Sequence, residues 1–258
     1  LASRGTALPA VRGLHRRQAA IAERDRLESR DPVEAPPEMA GLKRTARDLG
    51  LWNLFLPIEH GSYSGGLTNL EYAVLAEEMG RVVWASEVFN CSAPDTGNME
   101  VLARYGNEQQ KRQWLEPLLA GEIRSAFAMT EPDAGSAVQE MRSSLTEDPS
   151  TGGWRLNGYK YYSTLGHVAQ GILVWCRWPG GSGAKGIGAV VVPMDRDGVS
   201  LTGVHSSMGV HAATEAEIAF DDVPVGIDDR DGGRLRHAGS SAGGVGQRLG
   251  SPGQRRVC

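Results

Sequence analysis

The chain has 258 residues, 40% of them hydrophobic and 22% charged, with a formal net charge of −4. That length allows one large domain or two modest ones, and the composition is that of a chain with a packed core. The charge balance supplies no basic field for nucleic acid, and no apolar run approaches the ~20 residues needed to span a bilayer.

The three cysteines, Cys91, Cys176 and Cys258, form no C-x-x-C pair and are odd in number. They signal neither a disulfide framework nor a zinc knuckle. The six histidines are scattered, with no H-E-x-x-H frame, so no metal site is expected. A reducing, cytoplasmic compartment fits this cysteine usage. No basic-then-apolar leader opens the sequence, and no signal peptide is expected.

In chain order, Val11–Leu27 has helical propensity, with Arg12, Arg16 and Arg17 on a solvated face. Pro32, Pro36 and Pro37 mark a loop. Met39, Leu42, Ala46 and Leu49 recur at helical spacing, and Gly50 follows as a C-terminal cap. Leu51–Pro57 is a dense apolar run, expected to be buried. Thr68 and Glu71 form a capping box for a helix closed by Gly80, with Leu70, Ala73 and Val74 as its expected apolar face. Asp95–Asn98 reads as a loop. Asn107 and Gln110 repeat the capping pattern, and Pro117 ends or restarts that helix.

After residue 124 the period changes. Phe127–Thr130 alternates as a strand, with Phe127 and Met129 on one side and Ala128 and Thr130 on the other. Trp154–Leu156, Asn157-Gly158 and Tyr159–Tyr162 read as a hairpin with Asn-Gly as its tight turn. Gly171–Arg177, Ile187–Pro193, Val199–Val204 and Glu217–Phe220 read as strands, with Pro179–Gly183 as a Gly-rich connector. His167, His205 and His211 read as surface or loop residues. The expected fold class is α+β. An N-terminal all-α domain (1–124) precedes a small antiparallel β-barrel or sandwich domain (125–225) and an irregular tail (226–258). The tail has nine glycines and only five large aliphatic residues in 33 positions. It is expected to be disordered or poorly packed.

Three motifs carry a resemblance. Met129-Thr130-Glu131-Pro132-Asp133-Ala134-Gly135-Ser136 resembles the flavin-binding signature of the acyl-CoA dehydrogenases. Asn90–Leu102, together with Gln113–Leu119 and Leu51–Pro57, resembles the branch of family members ten and eleven. The similarity runs from about residue 10 to Val225.

The resemblance implies a flavoenzyme that uses FAD to desaturate an acyl-CoA thioester between its α and β carbons. It implies a homo-oligomer that passes electrons to an electron-transfer flavoprotein. It also implies cofactor contacts from Phe127, Met129, Thr130, Gly135 and Ser136, with Ser136 touching the acyl-CoA as well. A second group of contacts would come from Tyr162, Ser163 and Thr164, where Tyr162 stands in the place of the usual tryptophan and covers less area. The histidine- and glycine-rich turn of members ten and eleven has no counterpart in Gly209–Ala216. The family's C-terminal four-helix bundle, which carries the catalytic base, is not recognisable after Gly226, so no catalytic residue is named. The tail reads as a frame-shifted or artificially terminated segment, and this chain alone is expected to be inactive. A flavin monooxygenase on the same scaffold and a non-catalytic remnant that binds no flavin remain open as alternatives.

Overall fold

The computed structural model describes residues 4–27, 37–82, 84–205 and 214–226. Expectations for Pro32, Pro36, His211, most of Gly209–Ala216 and the tail beyond Gly226 lie outside the described residues.

A helical region comes first. Its elements are α1 (Arg4–Leu27), α2 (Met39–Asp48), α3 (Asn69–Met79), α4 (Ala85–Val88), α5 (Asp95–Tyr105), α6 (Glu108–Gln110) and α7 (Glu116–Ala120). Ala7, Val11, Leu14 and Gln18 recur at helical spacing and are the buried face of α1. Met39, Leu42 and Ala46 are buried on α2, whereas Leu49 lies past its end and is exposed. Gly50 adopts a left-handed conformation there, φ 69°, and its N–H caps Arg47 O at 2.9 Å. Leu51, Leu54, Phe55 and Leu56 are buried, as the apolar run predicts.

Both capping boxes form, Thr68 with Glu71 and Asn107 with Gln110. The expected apolar face of α3 is corrected. Leu70 is 77% exposed and Ala73 and Val74 also face outward, while Leu75, Glu78 and Met79 are buried. The reason is tertiary. The face that meets α1 is chosen by Leu75 and Met79 packing and by Glu78, whose Oε1 accepts from Arg12 Nη2 at 2.9 Å. Pro117 restarts the helix rather than ending it. The backbone widens to a π-turn over Lys111–Leu115 and continues as α7 with Pro117 in its first turn, where a missing N–H costs least.

The second region is one curled seven-stranded sheet. It comprises β1 (Ser125–Ala128), β2 (Ser144–Asp148), β3 (Gly153–Thr164), β4 (Gly171–Arg177), β5 (Ile187–Pro193), β6 (Val199–His205) and β7 (Glu215–Val225). The order is β1-β4-β2-β3-β7-β6, with β5 paired to β4. Most pairs are antiparallel, but β1 and β2 both run parallel to β4. β1 takes the Gly171 end of β4 and β2 its Arg177 end. The two short strands therefore share one lane between β4 and β3, and residues 129–143 leave and re-enter it.

β4 and β5 are apolar without alternation because both their faces are covered. Ile172, Val174, Cys176, Val190 and Val192 line the sheet interior, while Leu173, Ala189 and Val191 join the helical core. The hairpin expected at Asn157-Gly158 is a second correction, since β3 runs unbroken through it. Asn157 lies opposite a bulge of β7 at Asp221 and Asp222, and its Oδ1 accepts from Asp222 N at 2.9 Å. Gly158 is required by close packing rather than by turning, because a Cβ there would stand 2.1 Å from Ser143 Oγ. The true turn follows Asp148, whose Oδ1 accepts from Ser150 N at 3.0 Å, and closes at Gly152 with φ 69°.

Asp95 and Asn98 begin α5 rather than forming a loop, and they join the helices to β1. Asp95 is buried and accepts from Ser125 N and Ser125 Oγ, each at 2.7 Å, and from Arg124 Nε at 2.6 Å. Asn98 Nδ2 donates to Ser125 Oγ and Ala126 O, both at 2.9 Å. Asp95→Ala would strand the buried Ser125 N–H and remove one of the two carboxylates that pair with the Arg124 guanidinium, the other being Glu87 at 2.7 Å. The expected loss is about 3–5 kcal/mol, read as a lowered urea midpoint with an unchanged slope.

Candidate active site

The segment Met129–Ser136 lies at the break in the β1/β2 lane. Strand alternation holds through Ala128. Ala126 and Ala128 face the sheet interior, Phe127 packs toward the helices 6.3 Å from the Trp175 ring, and Met129 packs beside Met141 and Val138. The strand itself stops at Ala128, so Met129 and Thr130 lie beyond its end. Two main-chain oxygens of this segment are engaged by β3. Met129 O accepts from Lys160 Nζ at 3.0 Å and Thr130 O from Tyr161 N at 2.9 Å. Each oxygen keeps one lone pair. Thr130 and Ser136 make no side-chain hydrogen bond among the described residues. Gly135 and Ser136 are exposed, and a Cβ built on Gly135 would meet nothing within 4 Å.

Glu131 closes the neck of this excursion. Its carboxylate accepts from Arg142 N at 2.6 Å, Ser143 N at 3.0 Å and Lys160 Nζ at 2.8 Å. It also makes a reciprocal pair of backbone bonds with Ala134. One side chain thus joins the residue where the lane is left to the residues where it resumes. Lys160 is fully buried beneath it. Burial works against the Glu131 charge, but the Arg142 N–H, Lys160 and Ser143 outweigh it and hold the carboxyl below its usual range. Burial pulls the Lys160 ammonium below its usual range, opposed by Glu131. Glu131 is part of the motif Met129–Ser136, whereas Lys160 lies outside every motif. The available signal was a lysine at a position where strand alternation demands an apolar residue.

Tyr162, Ser163 and Thr164 lie on β3 beside this turn. A second bulge sets their directions, with Tyr161 and Tyr162 together opposing Glu217 of β7. Leu156, Lys160 and Ser163 point inward, an interval of three at the bulge instead of two. Tyr162 is consequently turned outward, 54% exposed, at φ 55°. That left-handed conformation is uncommon for an aromatic residue. Ser163 is the exception among the expected contacts. Its side chain is fully buried, with Oγ unpartnered among the described residues, so only its main chain faces the site. Thr164 Oγ1 donates to both Glu215 oxygens at 3.0 Å. Burial pushes the Glu215 carboxyl up, with Thr164 and His205 opposing. His205, read as a surface residue, is half-buried against Tyr161 and Tyr162.

Residues 10–122 match the family description "Acyl-CoA dehydrogenase, N-terminal domain" and residues 126–223 match "Acyl-CoA dehydrogenase, middle domain". The chain belongs to the acyl-CoA dehydrogenase family. Acyl-CoA dehydrogenase family member 10 of Mus musculus is 41% identical over 208 residues, covering 76% of this chain and 19% of that protein. Family member 11 of Gallus gallus is 42% identical over 203 residues, covering 75% and 25%. These relatives bear out the branch read from the motifs. A solved Mycobacterium abscessus structure assigned to the acyl-CoA dehydrogenases superposes with a TM-score of 0.75 at 38% identity, covering 92% of this chain and 58% of that one. The acyl-CoA dehydrogenase chain in hand therefore spans only part of its relatives' length. Among its described residues no helix is long and apolar enough to cross a membrane, and no group of three metal-ligating side chains occurs.

Lys160→Met leaves the Glu131 carboxylate buried without its cation. It should cost about 3–5 kcal/mol and loosen the 131–143 turn, read as faster amide exchange at Arg142 and Ser143. The pH dependence has a definite sign. Glu131 binds its proton less readily folded than unfolded, so its contribution is complete above the ordinary carboxylate range, about pH 4. It is lost as the pH falls through the lower folded-state value. The urea midpoint should therefore fall with acid more steeply in the parent than in the double variant Glu131→Gln/Lys160→Met.

Proposed function

We propose that this chain supplies the flavin- and thioester-facing part of an acyl-CoA dehydrogenase acting by α,β-desaturation with FAD. The observation that carries the reading is the Glu131 stitch. It fixes a surface turn bearing Thr130, Gly135 and Ser136 beside the outward Tyr162 and Thr164, on a fold of this flavoprotein family. In this reading 1–124 and 125–225 act as N-terminal and middle domains. The acyl-CoA is the substrate, an electron-transfer flavoprotein the acceptor, and the working state a homo-oligomer. Cys91 and Cys176 are buried and in no disulfide, which agrees with a reducing cytoplasm.

The residues present suit a flavin. Its ring needs polar partners along one edge and apolar cover on a face. Thr130 Oγ1 is available to donate to that edge, and Phe127 and Met129 pack behind the main chain that carries it. The open backbone at Gly135 admits a charged group closely, and the Ser136 hydroxyl is exposed to bond either the pyrophosphate or the thioester. Tyr162 presents an aromatic wall. Bound FAD would supply acceptance of the hydride from the β carbon.

The chain's carboxylates at this site are otherwise occupied. Glu131 closes the turn, Glu215 accepts from Thr164, and Glu217 lies against Tyr159 and His205. No base is assigned among the described residues, and no turnover of acyl-CoA is expected from this chain by itself.

The test is titration of the purified chain with FAD, followed by quenching of flavin fluorescence. Saturable quenching is expected, and Thr130→Val and Ser136→Ala should each weaken affinity by about tenfold, the worth of one hydrogen bond. Quenching that never saturates would leave the remnant reading in place. Bleaching of the bound flavin by a reduced nicotinamide would favour the monooxygenase reading.

A further inference from the structure

The surface that exposes Tyr162 contains a polar cluster that the proposed flavin contacts do not use. Glu217 stands directly across the bulge, opposite Tyr161 and Tyr162. Its two oxygens reach two different strands. Oε2 accepts from the Tyr159 hydroxyl of β3, and Oε1 lies 2.6 Å from Nε2 of His205 at the end of β6. Thr202 Oγ1 of β6 donates to the Tyr159 oxygen at 3.1 Å. His205 in turn meets both tyrosine rings, with centroids 4.7 Å from Tyr161 and 5.5 Å from Tyr162. The Tyr161 and Tyr162 rings lie edge to face at 4.4 Å.

A bulged tyrosine at φ 55° sits in a sparsely populated backbone conformation that persists only where the surrounding structure holds it. An exposed ring also gains little from burial, so neighbouring groups must set its direction. Here those neighbours are one imidazole and one phenol, and the imidazole lies 2.6 Å from a carboxylate on β7, the strand between β3 and β6. We infer that Glu217 and His205 are positioning residues for the Tyr162 ring. Glu217 fixes the imidazole across β6 and β7, and the imidazole and Tyr161 together hold Tyr162 upright as a wall for the ring system of the cofactor. The inference rests on Tyr162 serving as that wall. It adds that the wall is set from β6 and β7 rather than by β3 alone. Neither residue touches the cofactor in this arrangement.

The test uses the full chain with ring-labelled tyrosine, and the Tyr162 signals are assigned by their absence in Tyr162→Phe. Without cofactor, Glu217→Gln and His205→Gln should both move the Tyr162 ring resonances toward those of free tyrosine, because the ring currents of His205 and Tyr161 no longer act on it. Thr202→Val, which disturbs the same surface without touching Glu217, should leave them in place. With FAD, both variants should weaken binding about two- to tenfold, the worth of one aromatic contact, and Tyr162→Ala should do so at least as much. Should Glu217→Gln unfold, His205→Gln at the strand end carries the test. Tyr162 resonances that stay put in both variants overturn the positioning role. An FAD affinity of Tyr162→Ala equal to the parent overturns the wall assignment first and this role with it.

Discussion

The candidate site depends on a buried ion pair. Lys160 is fully buried and Glu131 nearly so, and such a pair is a poor source of net stability because two charges have been desolvated. Its value here is geometric. A strand that breaks in the middle of a sheet leaves two loose ends and unpaired backbone groups. The Glu131 carboxylate bonds the N–H groups of Arg142 and Ser143 from the far side of the break. Lys160 neutralises it while also donating to Met129 O. Three main-chain groups around the break are thus tied to one point. An apolar pair of the same volume could fill that space, but it could not satisfy those groups.

Much of the fold is legible because its local signals are independent of packing. The capping boxes at Thr68 and Asn107, the left-handed Gly50, and the apolar strands β4 and β5 are each fixed by backbone chemistry or by double-sided burial. The failures share a cause. Asn157-Gly158 has the composition of a tight turn, yet the glycine is demanded by Ser143 across the sheet and the asparagine by a bulge in β7. Leu70, Ala73 and Val74 form an apolar stripe, yet the buried side of α3 is chosen by α1. In both cases a residue distant in sequence decides, and periodicity carries no record of it. The buried lysine is the converse. It breaks the inward pattern of β3 and marks the site more plainly than any apolar residue could.

Within the site the motif residues were legible as a group but not in their directions. Strict alternation along β3 sends Lys160 inward and would send Tyr162 inward with it. One extra residue at the bulge reverses this, placing Ser163 in the core and Tyr162 in solvent. A string of letters specifies Tyr-Ser-Thr equally well in either phase. The information that selects the phase lies in Glu217 and Ala216 of β7, more than fifty positions later. Neither the burial of the Ser163 hydroxyl nor the direction of Thr164 is therefore legible in strict alternation.

The same reasoning extends to the boundary between the two regions. β1 is four residues long and begins at Ser125, whose N–H and hydroxyl are held by Asp95, while Asn98 holds Ser125 and Ala126. Its other end passes directly into the stitched turn. The short strand is therefore clamped at one end by the helices and at the other by Lys160, with Ala126 and Ala128 packed between. Helix α5 and the stitched turn are thus joined through the four residues of β1. The Asp95–Asn98 segment, which touches none of the expected cofactor contacts, constrains them through the backbone of β1.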